Sequence, residues 1–220
     1  MPIGHFITLE GGEGAGKSTQ ARLLADALIA LGLPVLRTRE PGGAPGAETL
    51  RTLLLGGSVD WSAPAETLLH FAARAEHVEK TIRPALAAGM WVVCDRFYDS
   101  TTAYQGYGRM LDLQMVQGII DIAVGDTRPD LTLLFLVPQA VSEARRLIRQ
   151  PSLPLTIKRD RIEEAGRSFF ERVAKGYQAI AAAEPKRVRR FDATGEVPAI
   201  QAAIWKLVQP LLTRLERRKG

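Results

Sequence analysis

Lys17 and Ser18 close a run of small residues, Gly11-Gly12-Glu13-Gly14-Ala15-Gly16, and Thr19 follows. The run fits G-x-x-x-x-G-K-[ST], the pattern of a phosphate-binding loop. Small residues let successive backbone N–H groups curl around a polyphosphate without Cβ clashes. A helix starting there points its positive end at the same anion. Lys17 adds a full charge, and the Ser18 hydroxyl can join the shell of a Mg²⁺ ion.

A second chemical pair, Asp95-Arg96, follows the apolar Trp91-Val92-Val93-Cys94. An Asp at such a strand end can hold Mg²⁺ through water, and an Arg beside it can grip a phosphate with a bidentate fork. The plainer reading is a strand-end salt bridge. A third group lies on a helix opened by Pro64. Leu68, Phe71, Ala75, Val78 and Ile82 recur at three and four, which predicts the core stripe. His70, Arg74, His77 and Thr81 fall on another flank. From there Arg74 can hydrogen-bond a base edge and His70, one turn earlier, can stack over it; His77 and Thr81 also fit a solvated flank.

These groups need a frame to bring them together. Ile3 to Leu9 reads as a buried strand. Ala21, Leu24, Ala25, Leu28 and Leu31 then repeat at helical spacing until Gly32. Strands are predicted over 33–38, 91–94, 131–137 and 188–191. Helices are predicted over 47–55, 64–88, 113–124, 141–149, 162–183 and 198–215, with a turn-rich stretch over 39–46. Strands alternating with helices imply a parallel sheet covered on both faces, with every strand's carboxyl end on one edge. Ligands bind along that edge, so the loop, residues 38–43 and Asp95-Arg96 should converge there.

At 220 residues the chain has the size of one α/β domain. Its net charge of +5 suits a polyanionic ligand or a basic solvated surface. The basic clusters at 186–190 and 217–219 carry no interleaved aromatics, so they read as solvated faces and not as a nucleic-acid site. A single cysteine, Cys94, excludes an internal disulfide and fits a reducing cytosol; it reads as a small buried strand residue. No apolar run approaches membrane-spanning length, and the amino terminus lacks a signal-peptide pattern, so a cytoplasmic protein is expected.

Glu10-Gly-Gly-Glu-Gly-Ala-Gly-Lys-Ser-Thr19, Thr38-Arg-Glu-Pro-Gly-Gly43, Phe71-Ala-Ala-Arg74, Asp95-Arg-Phe-Tyr-Asp-Ser-Thr-Thr-Ala-Tyr-Gln-Gly106 and Asp160-Arg-Ile-Glu163 together resemble thymidylate kinases of the bacterial type. The likeness runs in order from Phe6 to Asp192. It implies a P-loop NTPase fold: one domain over 1–220, a five-stranded parallel sheet flanked by helices on both faces, and a short lid over about 149–161. It also implies Mg²⁺-dependent transfer of the ATP γ-phosphoryl group to thymidine monophosphate (dTMP), by a homodimer.

By resemblance, Arg96 would hold the acceptor phosphate, with Arg51 as helper and Glu40, Pro41 and Ser100 nearby. Arg74 would meet the thymine edge, and Gln105, with Thr101, the other side of the base. Tyr104 would pack under the deoxyribose, and Glu13 would lie near the acceptor's sugar or phosphate. Ser18 and Asp95 would organise the metal. The Asp192-Ala193-Thr194 turn would border the adenine, and Arg149 and Arg159 would face ATP.

The chain departs from the family pattern in several places. His70 stands where the family usually has Phe, and is expected to replace part of the stacking ring. Val137-Pro138 stands where many relatives have an Asp. The segment 150–158 lengthens the lid, and its two prolines stiffen it. One subclass carries an arginine in the loop where this chain has Gly14, so the cation for the phosphoryl group in flight must come from the lid: Arg149, Lys158, Arg159 or Arg161, most firmly Arg161. A P-loop kinase for another deoxynucleotide or a deoxynucleoside, and a nucleotide-dependent switch or ATPase, are the alternatives. No general base is required, because the acceptor is already an ionised phosphate oxygen.

Overall fold

A computed structural model describes residues 4–56, 59–138, 141–142, 144–145 and 166–216. The expected lid and its cations Arg149, Lys158, Arg159 and Arg161 lie outside the described residues, as does residue 3, where the first strand was expected to begin.

Five parallel strands, β1 (Phe6–Gly11), β2 (Val35–Arg39), β3 (Trp91–Asp95), β4 (Leu131–Leu136) and β5 (Val188–Asp192), form one sheet in the order β2-β3-β1-β4-β5. The central strand β1 is buried at every position, as burial on both faces of a parallel sheet demands. Its register sets Leu9 opposite Asp95 and Gly11 opposite Phe135. The phosphate loop and Asp95 therefore leave the same edge of adjacent strands. On one face, α1 (Lys17–Ala30) and α8 (Val197–Glu216) pack through Leu24, Leu28, Ile204 and Val208. On the other, Phe71, Val78, Ile82, Val116 and Ile120 pack beneath Phe6, Val92 and Cys94. Cys94 is buried, as expected.

The long helix runs as α3 (Ala63–His77), a π-helical turn (Val78–Ile82) and α4 (Arg83–Ala87). Ser62 caps it by accepting from the Ala65 N–H, and Pro64 sits in its first turn, where a missing N–H costs nothing. Helix α2 (Pro45–Leu55) packs on it from one side and α6 (Leu113–Val124) from the other. Two short elements absent from the periodicity reading follow β3: α5 (Tyr98–Thr101) and a second π-helical turn (Thr102–Gly108). Helix α7 (Arg167–Ala183) packs on that turn through Phe169, Val173 and Tyr177.

Some expectations need correction. The strand read from 33 begins at Val35, and the helix read from 47 begins at Pro45. Leu31 and Leu68 are each 57 % exposed, so neither belongs to the core. Of the expected stripe Phe71, Val78 and Ile82 are buried and Ala75 is half-buried; α3 also buries Glu66, Thr67, Ala73, Arg74 and His77, the polar ones because their groups find partners there. His77 and Thr81 are not a solvated flank. His77 is fully buried, bonded through Nε2 to the Thr38 hydroxyl at 2.7 Å and through Nδ1 to Glu40 at 3.1 Å. The Thr81 hydroxyl donates to the Gly43 carbonyl. Within the basic run 186–190, Arg187 is also no solvated charge: it forks onto Asp99 at 2.6 and 2.9 Å.

Candidate active site

The phosphate loop bridges β1 and α1. Gly16 caps α1 in the left-handed region (φ 93°) and offers no side chain to the first N–H groups. Those donors therefore face the edge of the sheet, ready for an anion. Gly14 is also left-handed (φ 70°), and a Cβ there would sit 2.5 Å from the Ser142 carbonyl oxygen. The position expected to lack an arginine is thus closed to any side chain. Lys17 lies over the loop, donating to the Gly11 and Gly12 carbonyls at 3.1 and 2.7 Å. Burial, with Arg96 second, lowers its pKa to about 8. Ser18 donates its hydroxyl proton to Asp95, so the two expected metal-organising side chains already touch.

Beyond β3 the chain turns sharply. Arg96 has φ 72°, a left-handed backbone that costs a non-glycine residue about 1–2 kcal/mol. Such strain persists only where surrounding contacts fix it. The fixing group is Glu10, fully buried on β1. Its carboxylate accepts from the Phe97 N–H at 2.7 Å, the Ser100 hydroxyl at 2.6 Å and the Tyr177 hydroxyl at 2.9 Å. Burial first, then Asp99, pushes its pKa up to about 7, while Arg96 and the hydrogen bonds pull it back. The guanidinium of Arg96 donates to Ser100 at 3.0 Å, lies over the Tyr104 ring at 5.2 Å, and pairs with Glu13.

A cavity of about 260 Å³ opens from this point. Of the sequence-expected residues it gathers Glu13, Gly14, Lys17, Ser18, Glu40, Pro41, Arg51, His70, Arg74, Asp95, Arg96, Ser100, Thr101, Tyr104 and Gln105. Arg39 and Leu55 line it as well. On the cavity wall Arg74 is held by Glu40 (Nε to Oε2 2.7 Å, terminal nitrogen to Oε2 2.6 Å) and donates to the Thr101 hydroxyl at 2.9 Å. Arg51 donates to the Pro41 carbonyl at 2.6 Å. Glu48 accepts from the Gly43 N–H at 2.8 Å, which with Arg39 and Arg51 holds its carboxyl below the usual range against the effect of burial. His70 lies on the wall, its pKa lowered to about 4 by desolvation and then by Arg74, so its ring is neutral. Gln105 donates its amide N–H to Glu66 at 3.1 Å.

Gly11, Gly12, Ala15 and Thr19 belong to the loop and the start of α1, outside the cavity wall. Asp192, Ala193 and Thr194 stand at the end of β5, two strands from Gly11 on the same edge. The Asp192 carboxylate accepts from the Thr194 N–H at 2.8 Å. Arg145 donates to the carbonyls of Ala193, Thr194 and Gly195 at 2.8, 2.9 and 3.3 Å, locking that turn.

Sequence reasoning missed Glu10, Glu66, Arg145 and Tyr177. Glu10 carried a readable signal: a carboxylate ending a strand buried on both faces requires partners. Tyr177 carried none, because it reaches Glu10 across 167 residues of chain.

Comparison with known proteins agrees with this geometry. A family model described as thymidylate kinase matches residues 9–204. Thymidylate kinase of Gluconobacter oxydans is 51 % identical over 212 residues, covering 96 % of each chain. Thymidylate kinase of a Synechococcus strain is 50 % identical over 94 % of this chain and 95 % of that one. The solved structure of thymidylate kinase from Ehrlichia chaffeensis superposes with a TM-score of 0.74 at 31 % identity, over 94 % of this chain and 99 % of that one. A loop of phosphate-binding pattern, a strained arginine and a cavity that both of them line thus coincide with likeness over nearly the whole chain, and the chain belongs to the thymidylate kinase family, which transfers the ATP γ-phosphoryl group to dTMP.

Proposed function

We propose that the cavity takes dTMP with its phosphate against Arg96 and its base among His70, Arg74, Thr101 and Gln105, while the triphosphate of ATP lies along the loop and the adenine meets the Asp192-Ala193-Thr194 turn. One observation carries the reading: a single cavity is lined both by Lys17 and Arg96 and by Arg74 and Gln105. Phosphoryl transfer asks for little covalent chemistry, so positioning and charge neutralisation dominate. Glu10 and Ser100 hold the Arg96 head so that the acceptor oxygen points at the loop. Tyr104, under Arg96, would support the deoxyribose and leave no room for a 2′-hydroxyl. Neutral His70 would stack on the base without adding charge beside Arg74. Arg51 and Glu40 would fix the wall from the β2 side.

The donors present fit Mg²⁺. Ser18 and Asp95 offer hard oxygens in mutual contact, and among the described residues no cluster of three His, Cys, Asp or Glu side chains exists. Magnesium suits such a sparse site because it keeps waters and substrate phosphates in its shell. Bound there, it would neutralise charge on the β- and γ-phosphates. Arg149, Arg159 and Arg161 are proposed to add cations around the transferred group. Arg161→Ala is expected to lower kcat by tenfold or more, about 1.4 kcal/mol of barrier.

We further propose a homodimer acting in the cytoplasm. Support for the dimer comes from apolar side chains left in solvent on neighbouring helices: Leu53 on α2, Leu68 on α3, and Met115 and Ile122 on α6. Among the described residues no helix is long and apolar enough to cross a membrane. A coupled ADP-release assay tests the activity: turnover is expected to require dTMP, and ATP hydrolysis independent of any acceptor would overturn the kinase reading.

A further inference from the structure

The base end of the cavity holds a polarity that the site residues alone do not explain. Gln105 could present either its carbonyl or its amide N–H₂ to a ligand, because the two ends differ only by a rotation. Here the amide nitrogen is committed to Glu66 Oε1 at 3.1 Å. Glu66 is 7 % exposed, two turns before Arg74 on α3, and its other oxygen lies 3.4 Å from the Arg109 guanidinium. A carboxylate accepts and never donates, so it dictates which end of Gln105 faces it. Among the described residues nothing donates to Oε1, the oxygen of the Gln105 side-chain amide, and Gln105 lines the cavity. Arg74, pinned by Glu40 and Thr101, has only donors to offer.

We propose that Glu66 is a specificity-determining residue: by orienting the Gln105 amide it makes the base site one donor beside one acceptor, which accepts the O4 and N3–H of a thymine edge and rejects cytosine. Cytosine reverses both groups. Its amino group would face the Arg74 donors, and its unprotonated N3 would face the Gln105 oxygen. Each mismatch leaves a buried polar group unpaired, the kind of penalty that yields strong discrimination. Glu66 acts through Gln105 and does not touch the base, so it is a positioning residue. The inference rests on the proposed placement of dTMP in this cavity.

The test compares kcat/KM for dTMP, dCMP and dUMP in the wild type and in Glu66→Gln, whose side chain can donate as well as accept. The dTMP:dCMP preference is expected to fall at least tenfold, about 1.4 kcal/mol. The dTMP:dUMP preference, which depends on the 5-methyl group and not on the hydrogen-bonding edge, is expected to stay within twofold. Glu66→Asp, still only an acceptor, is expected to retain most of the preference. A merely structural role would lower all three substrates together; an unchanged dTMP:dCMP ratio in Glu66→Gln overturns the assignment. Independently of any variant, N3-methyl-dTMP should bind the wild type at least tenfold more weakly than dTMP, and equal binding overturns the amide orientation. A wild type that phosphorylates neither dTMP nor dCMP overturns the placement of the acceptor itself.

Discussion

Arg96 shows how much tertiary support one strained, charged side chain needs. Its left-handed backbone is unfavourable, and its head is gripped by Ser100, Tyr104 and Glu13. Arg96→Lys keeps the charge and loses the fork; kcat/KM for dTMP is expected to fall by about tenfold to a hundredfold, measured by steady-state kinetics. Two buried groups nearby titrate in opposite senses. The Glu10 carboxyl, raised from 4.5 to about 7, stays protonated in the folded chain where the unfolded chain ionises. The folded state then binds more protons, so this group makes stability fall as pH rises through that window. His70, lowered from 6.5 to about 4, is neutral when folded where the unfolded ring is charged, so it makes stability rise with pH between those values. Glu10→Gln removes only the falling contribution. Its urea midpoint relative to wild type is expected to climb as pH goes from about 5 to 7.5; a flat difference would show that Glu10 is ionised throughout.

At the scale of elements, short irregular pieces position the site. Helix α5 and the π-helical turn after it carry Ser100, Thr101, Tyr104 and Gln105 toward the cavity. They are held from behind by Asp99, which receives Arg187, while Arg187 also donates to Thr132 at 2.7 Å. Arg187→Ala leaves a nearly buried carboxylate unpaired (Asp99 side chain 4 % exposed) and is expected to cost about 3–5 kcal/mol in denaturant unfolding. The phosphate loop is constrained in the same way. Gly14→Ala combines a left-handed backbone with a Cβ against the Ser142 carbonyl, so it should displace the loop and raise the KM for ATP by tenfold or more.

For the molecule as a whole, the sheet brings the loop, Asp95-Arg96 and the Asp192-Ala193-Thr194 turn to one edge, and the helices outside it leave apolar side chains in solvent. Ile122 is 86 % and Leu68 57 % exposed, although a surface with no partner gains nothing from them. Ile122→Glu combined with Leu68→Glu is expected to shift the proposed dimer to monomers by sedimentation equilibrium while leaving the circular dichroism unchanged. A variant that stays dimeric would move the interface elsewhere.

The residues proposed to touch phosphate could be read from the sequence because they obey local rules. Gly11 to Ser18 must be small, then cationic, then hydroxylic in that order, and Asp95-Arg96 must follow a strand that periodicity marks as buried. Helical spacing set Arg74 apart on its own flank, and the likeness to thymidylate kinases added Gln105 and Tyr104. The parallel sheet and the carboxyl-edge convergence followed from alternation and handedness, whereas the strand order β2-β3-β1-β4-β5 came from the structure. What the tertiary structure alone decided is which polar groups are buried against one another. Leu68 fits an apolar stripe and is exposed, whereas His77, Glu10 and Arg74 are polar and buried, because hydrogen-bonded pairing across elements repays their desolvation. Pairings such as Tyr177 with Glu10 or Glu66 with Gln105 join distant positions, and no spacing along the chain encodes them. The sequence determined that this chain transfers phosphate between nucleotides; the packed structure decided how Arg74, Arg96 and the Gln105 amide are held at the cavity wall.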